Sequence, residues 1–126
     1  MTQSPRSTAP DQTYAMTLSA ASAAHDRKGE DIVILAVGEV SYVADYFVIV
    51  TGLSRVQLRA IAMGIEEKLW QDYGRQPRQR SGQDSNWILQ DYGDLIVHIM
   101  TPKERAFYGL ELFWGHAPKI MLAQTA

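Results

Sequence analysis

Trp87-Ile88-Leu89-Gln90-Asp91-Tyr92-Gly93-Asp94-Leu95-Ile96-Val97-His98-Ile99-Met100 holds two apolar runs joined by Asp91-Tyr92-Gly93-Asp94. The pattern predicts a β-hairpin. Gly93 can take the positive φ of a tight reversal without steric cost, and the carboxylates of Asp91 and Asp94 can accept from nearby amides, so both acids suit the turn without a catalytic role. Trp87, Leu89 and Tyr92 then place large side chains on and beside the hairpin. Anchors of this kind concentrate binding energy in protein interfaces, at about 2 kcal/mol or more each when fully desolvated. The hairpin therefore points to recognition rather than catalysis.

Downstream, Thr101-Pro102-Lys103-Glu104 combines an N-cap residue, a proline at the first helical position and a glutamate that can return a bond to the cap. The helix expected there carries Phe107, Leu110 and Trp114 on one face. Upstream, a loop from Ser81 to Asn86 follows a short strand over 77–80. Before that strand, Ser54 and Gln57 form a capping box for a helix with Leu58, Ile61, Ala62, Ile65 and Leu69 at helical spacing. Gly74 is placed as its left-handed terminus, and Pro77 prevents continuation. Tyr46–Thr51 and Ile32–Val37 are unbroken apolar runs, expected as strands in the middle of a covered sheet. The alanine-rich stretch Gln12–His25 predicts a helix packed on the sheet edge.

Residues 1–11, rich in Ser, Thr, Pro and Gln, predict a disordered extension. Residues 12–117 then form one domain, and 118–126 a tail. The order α-β-β-α-β-β-β-α describes an α/β fold: a single-domain mixed β-sheet of about five strands flanked by helices.

At 126 residues the chain suits one core. A net charge of -2 argues against a protein that coats nucleic acid by counterion release. With no cysteines there are no disulfides, thiolate metal ligands or cysteine nucleophile, which fits a reducing compartment. The polar start holds no secretory signal, and no apolar run approaches the roughly 20 residues that cross a bilayer, so no membrane contact is expected.

Asp91 and Asp94 could converge on a cation, and with His98 they define the enzyme alternative, a metal-dependent nucleotidyltransferase or phosphohydrolase. A third oxygen ligand is hard to find, and turn stabilisation accounts for both acids, so neither metal nor cofactor is expected. His98 sits inside an apolar strand and reads as a core histidine with one ring nitrogen donating to a carbonyl or acid. Gly52-Leu53-Ser54-Arg55 lacks the ending of a phosphate-binding P-loop, and N-capping by Ser54 explains it. Arg75, Arg78 and Arg80 form a small basic patch, read either as a local contact to an RNA backbone or as a solvated face.

Taken together, Ala44-Asp45-Tyr46-Phe47-Val48-Ile49, Gly52-x-Ser54-Arg55-x-Gln57, Trp87-Ile88-Leu89-x-Asp91-Tyr92-Gly93-Asp94-x-Ile96-Val97-His98 and Glu104-Arg105-x-Phe107-Tyr108-x-Leu110-Glu111-x-x-Trp114-Gly115 resemble the ribosomal silencing factor, or Iojap-related, family. The likeness runs from about Tyr14 to Ala117 in the same order and spacing. It departs where the family commonly carries an acid before the loop glycine, since Ser81 stands there before Gly82.

The resemblance implies a cytosolic or organellar translational repressor, with the cytoplasm as the expected compartment, that binds large-subunit ribosomal protein fourteen on the large ribosomal subunit. It would block joining of the small subunit and lower translation when nutrients are scarce. The implied partner-binding residues are Trp87, Leu89 and Tyr92, with Asp91 and Asp94 beside them. The implied fold is nucleotidyltransferase-like, yet no Gly-Ser turn followed by paired acids occurs, and a fold alone does not license an activity. Exposed aromatic surface of this kind also leads to the expectation of a homodimer off the ribosome.

Overall fold

The computed structural model describes residues 10–120. Helix α1 (Pro10–Asp26) leads to β1 (Glu30–Leu35), a 3-10 turn (Val37–Glu39), β2 (Tyr46–Thr51) and the long helix α2 (Arg55–Tyr73). Three strands follow, β3 (Gln79–Ser81), β4 (Trp87–Asp91) and β5 (Leu95–Met100), then α3 (Pro102–Tyr108), α4 (Leu110–Phe113) and β6 (Lys119–Ile120). The strands form one sheet in the order β3-β4-β5-β2-β1-β6, with β2 parallel to β5 and the other neighbours antiparallel.

The α/β class and the mixed sheet are as the sequence predicts, with six strands where about five were expected. The sixth comes from residues read as tail: Lys119 and Ile120 pair with Leu35 and Ile34, so the sheet continues past residue 117. That pairing covers the outer edge of β1, which stands one place from the sheet's edge and not in the expected middle, while β2 and β5 are at the centre. Helix α1 begins at Pro10, inside the extension expected to be disordered. The rest of that extension, 1–9, and residues 121–126 lie outside the described residues.

Alternate residues along a strand face opposite sides, and the core divides accordingly. Val48, Val50, Ile88, Leu95, Val97 and Ile99 face α1 and α2, where they meet Met16, Ile61, Ile65 and Leu69. Phe47, Ile49, Ile96 and Met100 face the other way, against Leu110 and Trp114. Helix α1 lies over the face that carries Val48 and Val50, not at the sheet edge, because Ala20, Ala21 and Ala24 are fully buried and let α1 approach α2 and the sheet closely.

Helix α2 starts at Ser54, whose Oγ accepts from the Gln57 amide at 3.1 Å. Gln57 Oε1 accepts in return from the amide of Leu53 at 2.7 Å, one residue before the cap. Its end at Gly74, with φ 63°, uses the left-handed conformation glycine adopts freely. The last helix does not run through to Trp114 as expected. Gly109, at φ 56°, ends α3 and starts α4, and Thr101 makes no side-chain capping bond. The break turns Leu110 and Trp114 onto the sheet and leaves Phe107 77% exposed. Arg105 holds the broken segment in place, donating to both carboxylate oxygens of Glu111 at 2.8 and 3.1 Å and to Thr51 Oγ1 at 2.8 Å. That guanidinium holds the Glu111 carboxyl below its usual range.

Candidate functional site

The hairpin forms as the sequence predicts. Asp91 pairs with Ile96, the Tyr92 amide donates to the Leu95 carbonyl at 2.8 Å, and Gly93 takes φ 92° in the loop. Asp91 Oδ1 accepts from the Gly93 amide at 2.7 Å, so this acid is a turn residue.

Strand parity decides what the hairpin offers to a partner. Trp87 and Leu89 are half-buried on the face away from α1 and α2, whereas Ile88, Gln90 and Tyr92 turn toward the helices. Tyr92 is only 4% exposed and belongs to the helix-side core, which corrects its expected role as a contact residue. Its phenol has no partner among the described residues, and burial raises its pKa.

On the face away from α1 and α2, rings form a continuous line. Phe107 meets Tyr108 at 4.9 Å between centroids, Tyr108 meets Trp87 at 4.8 Å, and Trp87 meets His98 at 5.9 Å. Phe47 then links His98, at 4.8 Å, to Trp114, at 5.5 Å. The inner part of the line is core. Its outer end is surface: Tyr108 is 51% exposed and stands beside Trp87 and Leu89. A cleft of about 390 Å3 opens there, lined by Asn86, Trp87, Leu89, Glu104 and Tyr108 together with Ser81 and Ser85.

His98 fixes the inner edge of this surface. The Trp87 indole N–H donates to His98 Nδ1 at 3.2 Å, so the neutral imidazole carries its proton on Nε2. His98 thus accepts rather than donates, and Nε2 has no partner among the described residues. Burial pushes its pKa down to about 4.

Asp94 is also sealed. It is 4% exposed, its Oδ1 accepts from Arg75 Nη2 at 2.8 Å, and its Oδ2 accepts from Arg75 Nη1 at 3.2 Å and from Thr13 Oγ1 on α1 at 3.1 Å. This removes Asp94 from the expected partner-binding set and makes it a brace between the hairpin turn, α1 and the chain after α2. Asp91, Asp94 and His98 do not converge: Asp94 points to the helix side, while His98 packs against Phe47 and Trp87 on the other. No group of three or more His, Cys, Asp or Glu among the described residues could hold a metal ion. The arginines are likewise engaged, Arg75 with Asp94, Arg78 with Asp91 at 3.3 Å and Arg80 with Glu66 at 2.8 Å, so they form three ion pairs and not a free basic patch. No helix among the described residues is long and apolar enough to cross a membrane.

Tyr108 was missed in the sequence. The signal was the adjacent pair Phe107-Tyr108: neighbours on a helix point about 100° apart, so both cannot lie against one sheet.

Residues 10–126 match the family described as ribosomal silencing factor during starvation. The chain is 42% identical over 100 residues to ribosomal silencing factor RsfS of Bacillus subtilis, spanning 79% of this chain and 84% of that protein. It is 33% identical to the chloroplastic protein Iojap of Arabidopsis thaliana over 111 residues, 88% of this chain and 46% of that one, so it spans under half of the plant protein. A crystal structure of a Chromobacterium violaceum protein superposes with a TM-score of 0.78 at 31% identity, covering 90% of this chain and 94% of that one.

Proposed function

Because the chain belongs to the ribosomal silencing factor family, a family of translation regulators, we propose that it acts as a steric plug on the large ribosomal subunit. It binds large-subunit ribosomal protein fourteen through the β4 end of the sheet face away from α1 and α2 and blocks joining of the small subunit, lowering translation under nutrient limitation. The observation that carries this reading is the apolar rim beside the cleft, made by half-buried Trp87 and Leu89 and exposed Tyr108. Phe107 extends it. A rim of rings around a concave centre is what protein interfaces use as anchors, and a standard interface of roughly 1,600 Å² reaches nanomolar affinity when such anchors are well packed. Occupying a docking surface is sufficient for the effect, and no bond need be made or broken.

The contact set proposed is Trp87, Leu89 and Tyr108, with Asp91 at the margin. Co-sedimentation with purified large subunits tests it: the parent protein pellets with them and Trp87→Ala stays in the supernatant. Co-pelleting of Trp87→Ala at parental affinity would remove this face from the reading. Off the ribosome, the same rings support self-association, checked by equilibrium sedimentation of the parent against Trp87→Ala. We place its action in the cytoplasm, a reading supported by closer identity to the bacterial factor than to the plastid protein.

A further inference from the structure

The cleft beside Trp87 has one apolar wall and one acidic wall. Leu89 and the rings of Trp87 and Tyr108, inclined at 50° with centroids 4.8 Å apart, make the first. Glu104 makes the second, and it lies one helical turn before Tyr108, so α3 presents carboxylate and phenol on the same side.

Other polar groups at the cleft are engaged. Ser85 Oγ lies 2.9 Å from both the Gly82 and Trp87 carbonyls, which share its single O–H, and Asn86 Oδ1 accepts from Arg55 Nε at 3.2 Å. Glu66, Asp91, Asp94 and Glu111 each hold an arginine of the chain itself. The Glu104 carboxylate has no hydrogen-bond or ion-pair partner among the described residues.

We propose that the cleft receives an arginine side chain of the protein partner, with its guanidinium against the rings of Trp87 and Tyr108 and its fork turned to Glu104. Charge selects this occupant. A phosphate or an acidic side chain would meet the Glu104 charge head-on, and a purely apolar side chain would strip water from that carboxylate and give nothing back. Guanidinium satisfies both walls at once, because it is weakly hydrated, stacks on aromatic faces and pairs bidentately with carboxylates. Lysine offers a point charge without the planar face. The inference deepens the proposed function, since it assumes that this face meets a basic protein.

Two measurements test it. In co-sedimentation with large subunits, Glu104→Gln weakens binding about tenfold and Glu104→Lys more, as expected for loss of one charge-assisted contact. Both variants unfold at the parental temperature, because Glu104 is partly exposed and unpaired. Parental affinity in Glu104→Gln overturns the proposal. If Trp87→Ala has then lost binding, only the arginine assignment falls; if Trp87→Ala also binds normally, the proposed function falls with it. In the second measurement, N-acetyl-arginine amide is titrated while the indole N–H resonance of Trp87 is followed. A saturable shift that disappears in Glu104→Gln is expected. No shift, or a larger one with N-acetyl-lysine amide, contradicts a guanidinium site.

Discussion

Trp87 on β4 and His98 on β5 are diagonal neighbours across the hairpin, His98 standing opposite Leu89, and the indole N–H of Trp87 donates to His98 Nδ1 at 3.2 Å. The bond ties the inner edge of the largest anchor to a buried strand, so the exposed edge is oriented before any partner arrives. An anchor already ordered in the free protein loses less side-chain entropy on binding.

The buried imidazole gives the fold a defined pH dependence. Unfolded, His98 takes up a proton near its ordinary value of 6.5, whereas folded it does so only at about 4. Its contribution is therefore intact above pH 6.5, declines as pH falls toward 4 and levels off below, for a total of about 3 kcal/mol. Urea unfolding between pH 7 and 4 checks this. His98→Phe should lose stability less steeply over that range than the parent.

Tyr92 and Trp87 should separate stability from binding. Tyr92→Ala opens a cavity in the helix-side core and costs about 3 kcal/mol or more. Tyr92→Phe removes a hydroxyl with no partner among the described residues, so it should be neutral or stabilising and retain full large-subunit binding. Trp87→Ala should lose about 1 to 3 kcal/mol, because it takes the donor from the buried His98 Nδ1, yet stay folded and fail to bind. Thermal unfolding followed by co-sedimentation of the three variants reads both properties.

Removing Asp94 should be far more damaging than its position in a turn suggests. Asp94→Ala takes the carboxylate from the Arg75 guanidinium, 20% exposed, which keeps its bond to the Tyr92 carbonyl, and takes the acceptor from Thr13, at a cost of about 3 kcal/mol. Chemical denaturation of Asp94→Ala and Arg78→Ala, the second from an exposed pair, should give a large loss for the first and under about 1 kcal/mol for the second.

Gly82 positions the strand that carries Trp87. At φ 78° it occupies a conformation other residues avoid, and a Cβ there would meet the Trp87 carbonyl oxygen. Gly82→Ala should cost about 2 kcal/mol or more and alter the near-ultraviolet circular dichroism of Trp87.

The elements were legible where local chemistry decides them. Ser54, Gln57 and Gly74 mark the ends of α2, and Gly93 marks the hairpin, because caps and turns are settled by residues within a few positions. Tyr92 was misplaced by reading the hairpin as one rim, although period-two parity already separates an even-numbered residue from Trp87 and Leu89. The pairing of Arg75, Arg78 and Arg80 was not legible, since each finds its acid from 13 to 19 residues away, across elements whose packing only the fold defines. The strand at Lys119–Ile120 was hidden for a similar reason: two residues carry no periodicity, and only the free edge of β1 gives them a partner.

Light scattering of subunit joining tests the central claim most directly. Large subunits preincubated with the protein and then mixed with small subunits should show a suppressed rise in scattering, and Trp87→Ala should restore it. An undiminished rise while the protein remains bound to the large subunit would contradict the account.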